Sequence, residues 1–515
     1  MNKIALFVIC IFFVNTGLNA QVISEKTAID YFSKNNFEQA LKEYQNLLKN
    51  DPSNDKFKYR IAVCYLNTNL DKTKAIEYLE QVIKNERADA NSYYLLGRAY
   101  HFANRFDEAI NMYETFKKIS AGTTYNVKDV EKQIEYCYNA KELVKYPIDV
   151  TFQHLGENIN SKFSDYYPFV PTDQSYIAFN TRRDDGSSKN PEGKHQSEVY
   201  ISKEKNGKFT KAKSIGSNVN HFEGDEEIIG MSADGKLMLF LFDNAEEGFG
   251  DIFIGHFDGK EVSKLTKMGK EVNSKYTEIA ASLSSDGESI YFASDRPGGF
   301  GGIDLYVTKK LPNNEWSAPQ NLGPTVNTSE DEDFPNLSPD GKTLYFSSKG
   351  HTSMGGYDIF KTEWDAEKRQ WTTLQNMGYP INTADDNMNL RISETGRYGY
   401  ISALREGGFG DLDIYQVTFN EIAPRFTVLK GFIKDAEGNY LAGNVNISVT
   451  DNQSMEIYGD YIPNPNTGRY IIILPAGNFN ILIEADGHAN YSEDLEIFDN
   501  NSYVPEILKD FNLTK

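Results

Sequence analysis

The chain has 515 residues with 53 Lys and Arg against 74 Asp and Glu, a formal net charge of −21. That balance excludes nucleic acid and anionic lipid as natural partners, since both demand a basic stripe. A content of 39% apolar and 13% aromatic residues suffices for packed cores, and at about 100–200 residues per domain the length predicts three domains.

Lys3 precedes an apolar run from Ile4 to Val14, and Leu18-Asn19-Ala20 then leads into Gln21. The run is too short to span about 30 Å of hydrocarbon, so it predicts a secretory signal peptide over 1–20, cleaved after Ala20, with no transmembrane anchor. Lipidation at Cys10 is the alternative, but Phe7-Val8-Ile9 ahead of it lacks the small residue a lipid-attachment site carries. Beyond the signal only Cys64 and Cys137 remain, which excludes a disulfide scaffold. Two small buried residues are the simpler expectation, a Cys64–Cys137 bridge the other.

Residues 21–146 carry a helical pattern. Ala40, Ala75 and Ala109 are 35 and 34 residues apart, each followed by an aromatic or aliphatic residue four positions on: Tyr44, Leu79 and Tyr113. Small residues where helices touch and aromatics in the next groove resemble tetratricopeptide repeats, with 127–145 as a capping helix. The resemblance implies a solenoid whose groove binds protein. Tyr31, Tyr65 and Tyr100 are the candidate groove ligands, with inter-helix packing as their alternative role.

Residues 147–420 repeat one phrase five times: Ile159-Asn160, Val219-Asn220, Val272-Asn273, Val326-Asn327 and Ile381-Asn382, in steps of 60, 53, 54 and 55 residues. Each repeat continues through a turn such as Ser232-Ala233-Asp234-Gly235 or Ser338-Pro339-Asp340-Gly341, where Asp-Gly supplies the positive φ of a tight hairpin. A glycine-rich loop such as Gly298–Asp304 or Gly355–Asp358 follows. This periodicity predicts a β-propeller. The last repeat ends after its third strand at 414–419, and Val150–Leu155 resembles a displaced fourth strand, so five blades are expected, closed by the N-terminal strand. Six is the alternative count if a degenerate blade lies in 182–194.

Strand alternation puts the glycine-rich loops on one face with the acids Glu223, Asp225, Glu226, Glu330, Asp331, Glu332, Asp333, Asp385 and Asp386. Two roles compete. Such a face suits a basic partner or a hard cation, or the acids serve as internal counter-ions in a structural ring, in which Arg182, Arg183, Arg296, Lys349 and Arg405 pair with Asp251, Asp304, Asp358 and Asp413. No catalytic, metal or cofactor motif is read: Gly-x-Ser-x-Gly, His-Glu-x-x-His and Cys-x-x-Cys are all missing, and the seven histidines are scattered.

Residues 421–515 switch to short alternating strands with Gly468-Arg469-Tyr470, Leu474-Pro475-Ala476-Gly477 and Ala485-Asp486-Gly487, resembling the carboxypeptidase regulatory-like domain. The expected fold class is therefore multidomain, α then all-β: a helical tetratricopeptide solenoid, a five-bladed β-propeller and a small β-sandwich. In order, signal, tetratricopeptide repeats, a TolB-like or WD40-like PD40 propeller and this sandwich resemble the PorE-type envelope proteins of type IX secretion in Bacteroidota, without their usual OmpA-like domain. The resemblance implies a non-enzymatic periplasmic scaffold or adaptor, peripheral to the outer membrane, whose partners are envelope proteins such as an outer-membrane β-barrel. A glycan- or peptidoglycan-binding module is the alternative, and a propeller hydrolase a more distant one.

Mass spectrometry of the exported protein should give an unlipidated N-terminus at Gln21. A diacylated Cys10 would contradict this.

Overall fold

The computed structural model describes residues 25–121, 127–184, 186, 189–220, 224–244, 249–422, 426–441, 444–498 and 502–515. The expected signal peptide and Glu223 lie outside them. Seven α-helices come first among the described residues: α1 (Glu25–Ser33), α2 (Phe37–Asn50), α3 (Asp55–Leu66), α4 (Ala75–Val82), α5 (Asn91–Phe102), α6 (Phe106–Ile119) and α7 (Val127–Leu143). Asparagine starts two of them: Asn36 Oδ1 accepts from Gln39 N–H, and Asn54 Oδ1 from Phe57 N–H, satisfying amides that have no partner within the helix. The repeat alanines Ala40, Ala75 and Ala109 are fully buried. Gly97 is small for the same reason, since a Cβ there would fall 2.6 Å from the ring of buried Tyr113. Cys64 and Cys137 are both buried and free. Burial pushes each thiol up to about 12, so they are inert filling.

Five antiparallel sheets follow. The first holds Asp165–Phe169, Tyr176–Thr181 and Glu198–Lys205, with two short strands on the last. The second runs through Glu226–Met231, Leu237–Asn244, Phe249–His256 and Thr266–Lys267; the third through Glu278–Leu283, Ser289–Ser294, Asp304–Lys309 and Gln320–Asn321. The fourth comprises Glu332–Leu337, Thr343–Ser348, Asp358–Asp365 and Gln370–Asn376. The fifth has Arg391–Ile392, Tyr398–Ala403 and Asp413–Phe419, and its outer strand is Val150–His154, paired from Val150↔Phe419 to His154↔Tyr415. The N-terminal strand thus covers an edge the last repeat would leave open. The first sheet's inner strand packs on the inner strand of the second and on the fifth sheet, and Ile359 of the fourth sheet shares a buried cluster with Ile401 of the fifth, so the series of neighbours returns to its start. Among the described residues of 182–194 there is no strand.

The repeated Ile/Val-Asn phrase is what joins one sheet to the next. Ile159, Val219, Val272, Val326 and Ile381 are all fully buried. Each asparagine mimics a strand residue. Asn327 Oδ1 accepts from Leu305 N–H at 2.8 Å and its Nδ2 donates to Leu305 O at 2.9 Å. Asn160 does this to Ile414, Asn220 to Val199, Asn273 to Ile252 and Asn382 to Ile359. The remaining Nδ2 proton reaches back to the outer strand, as in Asn327 to Asn321 Oδ1 and Asn382 to Asn376 Oδ1, both 2.8 Å. A buried amide with every donor and acceptor satisfied fixes the chain's path at low electrostatic cost. The hairpin turns carry left-handed Gly235, Gly287, Gly341 and Gly396, with φ from 69° to 73°, and Gln174 at 60° holds the corresponding place in the first sheet.

The C-terminal region is two facing sheets, one built on Phe426–Asp435 and Arg469–Pro475, the other on Val445–Asp451 and Gly477–Ala485. Leu429, Ile433, Ile447, Val449, Ile472, Leu474, Ile481 and Ile483 fill the space between them.

Replacing Asn327 by Ala should cost roughly 1–3 kcal/mol, because it strands the buried N–H of Leu305, whose carbonyl keeps the amide of Leu322. Chemical denaturation measures it; a loss within error of zero would contradict the clamp.

Candidate functional site

The described acid candidates lie at the end of the five sheets where one sheet leads to the next, and most are engaged internally. In four of the five repeats the residue after the asparagine staples the loop to the start of the inner strand. Ser161 N–H and Oγ donate to Asp165 at 2.6 and 2.7 Å, Ser274 does the same to Glu278, and Thr328 to Glu332 at 2.8 and 2.7 Å. In the fifth sheet Thr383 binds Asn387, an uncharged substitute. The second strand adds a hydroxyl from Thr181, Ser294 or Ser348 to the same carboxylates.

The cations pair with these inner-strand acids and their neighbours, which corrects the ring partners expected from the sequence. Arg183 meets Asp165 at 3.0 Å, Arg296 meets Glu278 at 2.9 Å, Arg182 meets Asp225 at 3.0 Å, and Lys349 meets Asp331 at 2.9 Å. Arg405 donates to Pro380 O instead. The third-strand acids are occupied by loop amides: Asp304 accepts from Phe300 and Gly301 N–H, Asp358 from Met354 N–H, and Asp413 from Phe409 and Gly410 N–H, while Asp251 pairs with Lys267. An aspartate at the mouth of a tight glycine loop finds amides before it finds an arginine. The glycines serve packing: a Cβ on Gly301 would collide with Glu330 O, and one on Gly355 with Ala384 O.

The remaining candidates follow the same pattern. Glu226 is buried, and Glu330 N–H donates to Thr328 Oγ1. Asp333 is 3% exposed and accepts from Phe334 N–H, Asp386 accepts from Tyr357 N–H at 2.9 Å, and Asp385 forms an ion pair with Lys72, just beyond α3. Tyr31 packs against the helical core; Tyr65 is buried, accepts from Gln45 and stacks on Tyr78; Tyr100 is buried and donates to Glu80.

Contacts unforeseen from the sequence fasten the helices to this face. Tyr136 Oη donates to Lys349 O at 2.5 Å, Asn139 Nδ2 to Ser353 O at 2.9 Å, and His101 Nε2 lies 2.8 Å from Met354 O. Met354 itself is fully buried in the helical core. A cavity of about 420 Å³ remains at the junction, lined by Lys72, Arg98 and His101 from the helical side and by Gly355, Gly356 and Asp386 from the loops. Nothing in the sequence around Tyr136 or Asn139 marks these side chains, because they meet carbonyls rather than a complementary motif.

Burial sets the protonation of this seam. It holds His101 down to about 4, so the imidazole is neutral. It pushes Glu332 and Asp333 up to about 7 each and Asp358 up to about 8, against the hydrogen bonds they accept. Among the described residues there is no group of three or more His, Cys, Asp or Glu able to hold a metal ion, and no helix long and apolar enough to cross a membrane.

Comparison with known proteins identifies tetratricopeptide repeats at residues 26–72 and 90–122. A search of the curated proteins finds no match to this chain. Among solved structures, a protein described as TolB from Agrobacterium tumefaciens is 16% identical, with 48% of this chain and 72% of that chain covered and a TM-score of 0.30. The α-L-arabinanase of Penicillium chrysogenum, complexed with arabinobiose, is 10% identical over 53% of this chain and 99% of that one, with a TM-score of 0.33. The 3-chlorocatechol 1,2-dioxygenase of Rhodococcus opacus 1CP is 14% identical over 18% of this chain and 60% of that one, with a TM-score of 0.15.

A carboxyl raised in the folded state binds a proton that the unfolded chain has released, so stability falls as pH rises toward its folded value. Above pH 6.5 the buried, neutral His101 no longer opposes this, and the melting temperature should decline from pH 6.5 to 8.5. Asp358→Asn should flatten the decline; an equally steep one in the variant would contradict a protonated Asp358.

Proposed function

We propose that this chain is an exported, non-enzymatic scaffold or adaptor of the periplasm, peripheral to the outer membrane and linked to type IX secretion or another envelope assembly. In this reading the five sheets are a five-bladed propeller and the C-terminal sheets a regulatory-like sandwich. The observation that carries it is the seam between Tyr136, Asn139, His101 and the loop from Lys349 to Met354, which makes the helical array and the sheets one platform. Tetratricopeptide arrays usually bind protein. The groove tyrosines are consumed in packing, so the partner surface lies elsewhere on that array or on the C-terminal module. There Ile471 and Ile473 are each about half exposed on alternate positions of one strand, and Leu508 is 73% exposed. Exposed aliphatics at that density are unusual on a surface with no partner.

The test is affinity capture with the full chain from the envelope fraction of the native cell. The reading expects an outer-membrane β-barrel protein to co-purify and to stay bound in free disaccharide. Release by the sugar, or capture of glycan alone, would overturn it in favour of a glycan-binding module.

A further inference from the structure

At the end of the five sheets away from the helices, the inner strands surround a second cavity, of about 440 Å³, lined by Arg391 with Phe169, Val170, Met231, Leu337 and Tyr345. Nine residues after each repeat asparagine the five inner strands present Phe169, Ile229, Ser282, Asn336 and Arg391, so one of five equivalent places carries a charge. Arg391 is 5% exposed. Its Nε donates to Asn389 Oδ1 and its Nη1 to Asn336 Oδ1, both at 2.8 Å, and its guanidinium lies 4.2 Å from the centre of the Phe169 ring. Its Nη2 is buried with no acceptor.

This arginine differs from the others described above. Arg182, Arg183 and Arg296 each meet a carboxylate within 3.0 Å, whereas no carboxylate of the described residues comes within 4.0 Å of Arg391. Asp340, on the cavity wall, is bound by Ser338 Oγ and Lys342 N–H. Nor is Arg391 loosely held. The two asparagines that accept from it are themselves fixed, Asn336 Nδ2 donating to Leu390 O and Asn389 Nδ2 to Pro168 O. A buried guanidinium with an unused donor costs free energy that two neutral amide oxygens offset only in part. A fixed, unused donor of this kind lowers the cost of binding an oxyanion. Burial holds the group down to about 9, so it remains charged at neutral pH.

We propose that this cavity binds a monocarboxylate carried on an apolar body, with the carboxylate accepting from Arg391 Nη2 and the body lying against Phe169, Val170, Met231 and Leu337. Asp340 and Glu394 also stand on the wall, which disfavours an anion of more than one charge, and the patch formed by Phe169, Val170, Met231 and Leu337 is where a hydrocarbon body can lie. A free organic acid and the C-terminal carboxylate of a peptide share this chemistry.

The test is calorimetric titration of the full chain with N-acetyl-L-phenylalanine and with its uncharged amide. The acid should bind roughly ten- to hundredfold more tightly than the amide, the usual worth of one charge-assisted hydrogen bond. Arg391→Gln should abolish that preference, and Thr172→Trp, which fills the mouth and leaves Arg391 in place, should weaken both probes. Should Arg391→Gln fail to fold, the acid-to-amide ratio in the native chain and the Thr172→Trp variant still decide the matter. Tetra-alanyl-phenylalanine, with a free or amidated C-terminus, separates the sources: tenfold tighter binding of the free-ended peptide than of N-acetyl-L-phenylalanine identifies a chain end, and equal binding a small acid. Equal binding of acid and amide, or no binding of either at about 1 mM, where even a weak site of about −4 kcal/mol would register, overturns the proposal.

Discussion

The amide clamp made by Asn160, Asn220, Asn273, Asn327 and Asn382 is the interaction on which the sheet-rich region depends. Each sheet alone has two apolar faces to bury and no neighbour to bury them against, as Phe240 and Leu239 on opposite faces of one strand illustrate. The clamp settles where the chain goes next, because the asparagine pairs with the third strand as a backbone residue would and, with the buried Ile or Val before it, anchors the crossing. No other side chain replaces it. Aspartate lacks the donor, and glutamine's extra methylene moves the amide out of reach of a carbonyl 2.9 Å away.

That constraint also explains the acids. Once the path is pinned, the next residue in four of the five repeats is a Ser or Thr whose hydroxyl and amide both point at position four beyond it, and an acceptor there is required. Asp165, Glu278 and Glu332 meet the requirement as carboxylates and Asn387 as an amide, so the position selects an acceptor rather than a charge. A face that looks electrostatic in one dimension is largely a hydrogen-bonding device in three. The helices then use the carbonyls left on that face, through Tyr136, Asn139 and His101.

The elements set by short-range chemistry were legible in the sequence, namely the hairpin turns at Gly235, Gly287, Gly341 and Gly396 and the alanine spacing of the helices, and so was the long-range pairing of Val150–His154 with the last strand, because the repeat lacks its fourth strand there. The pairing of the cations was not. The sequence distance from Arg296 to Asp304 is short, yet Asp304 is turned to the amides of Phe300 and Gly301, and Arg296 reaches back 18 residues to Glu278. Loop conformation decides that choice, and glycine-rich loops leave little pattern to read. Arg391 was hidden for another reason: its peculiarity is the lack of an acid nearby, which only the fold reveals. Of the tyrosines singled out, Tyr65 and Tyr100 are packed and hydrogen-bonded within the helical layer, where burial and groove-facing spacing look alike in sequence.

The central claim is that helices and sheets form one body through the loop from Lys349 to Met354. Amide hydrogen exchange on the full chain and on the Tyr136→Phe, Asn139→Ala double variant tests it most directly. The account predicts faster exchange across residues 350–354 and α7 in the variant, with the strand Asp413–Phe419 unchanged. Equal protection of that loop in both proteins would contradict it.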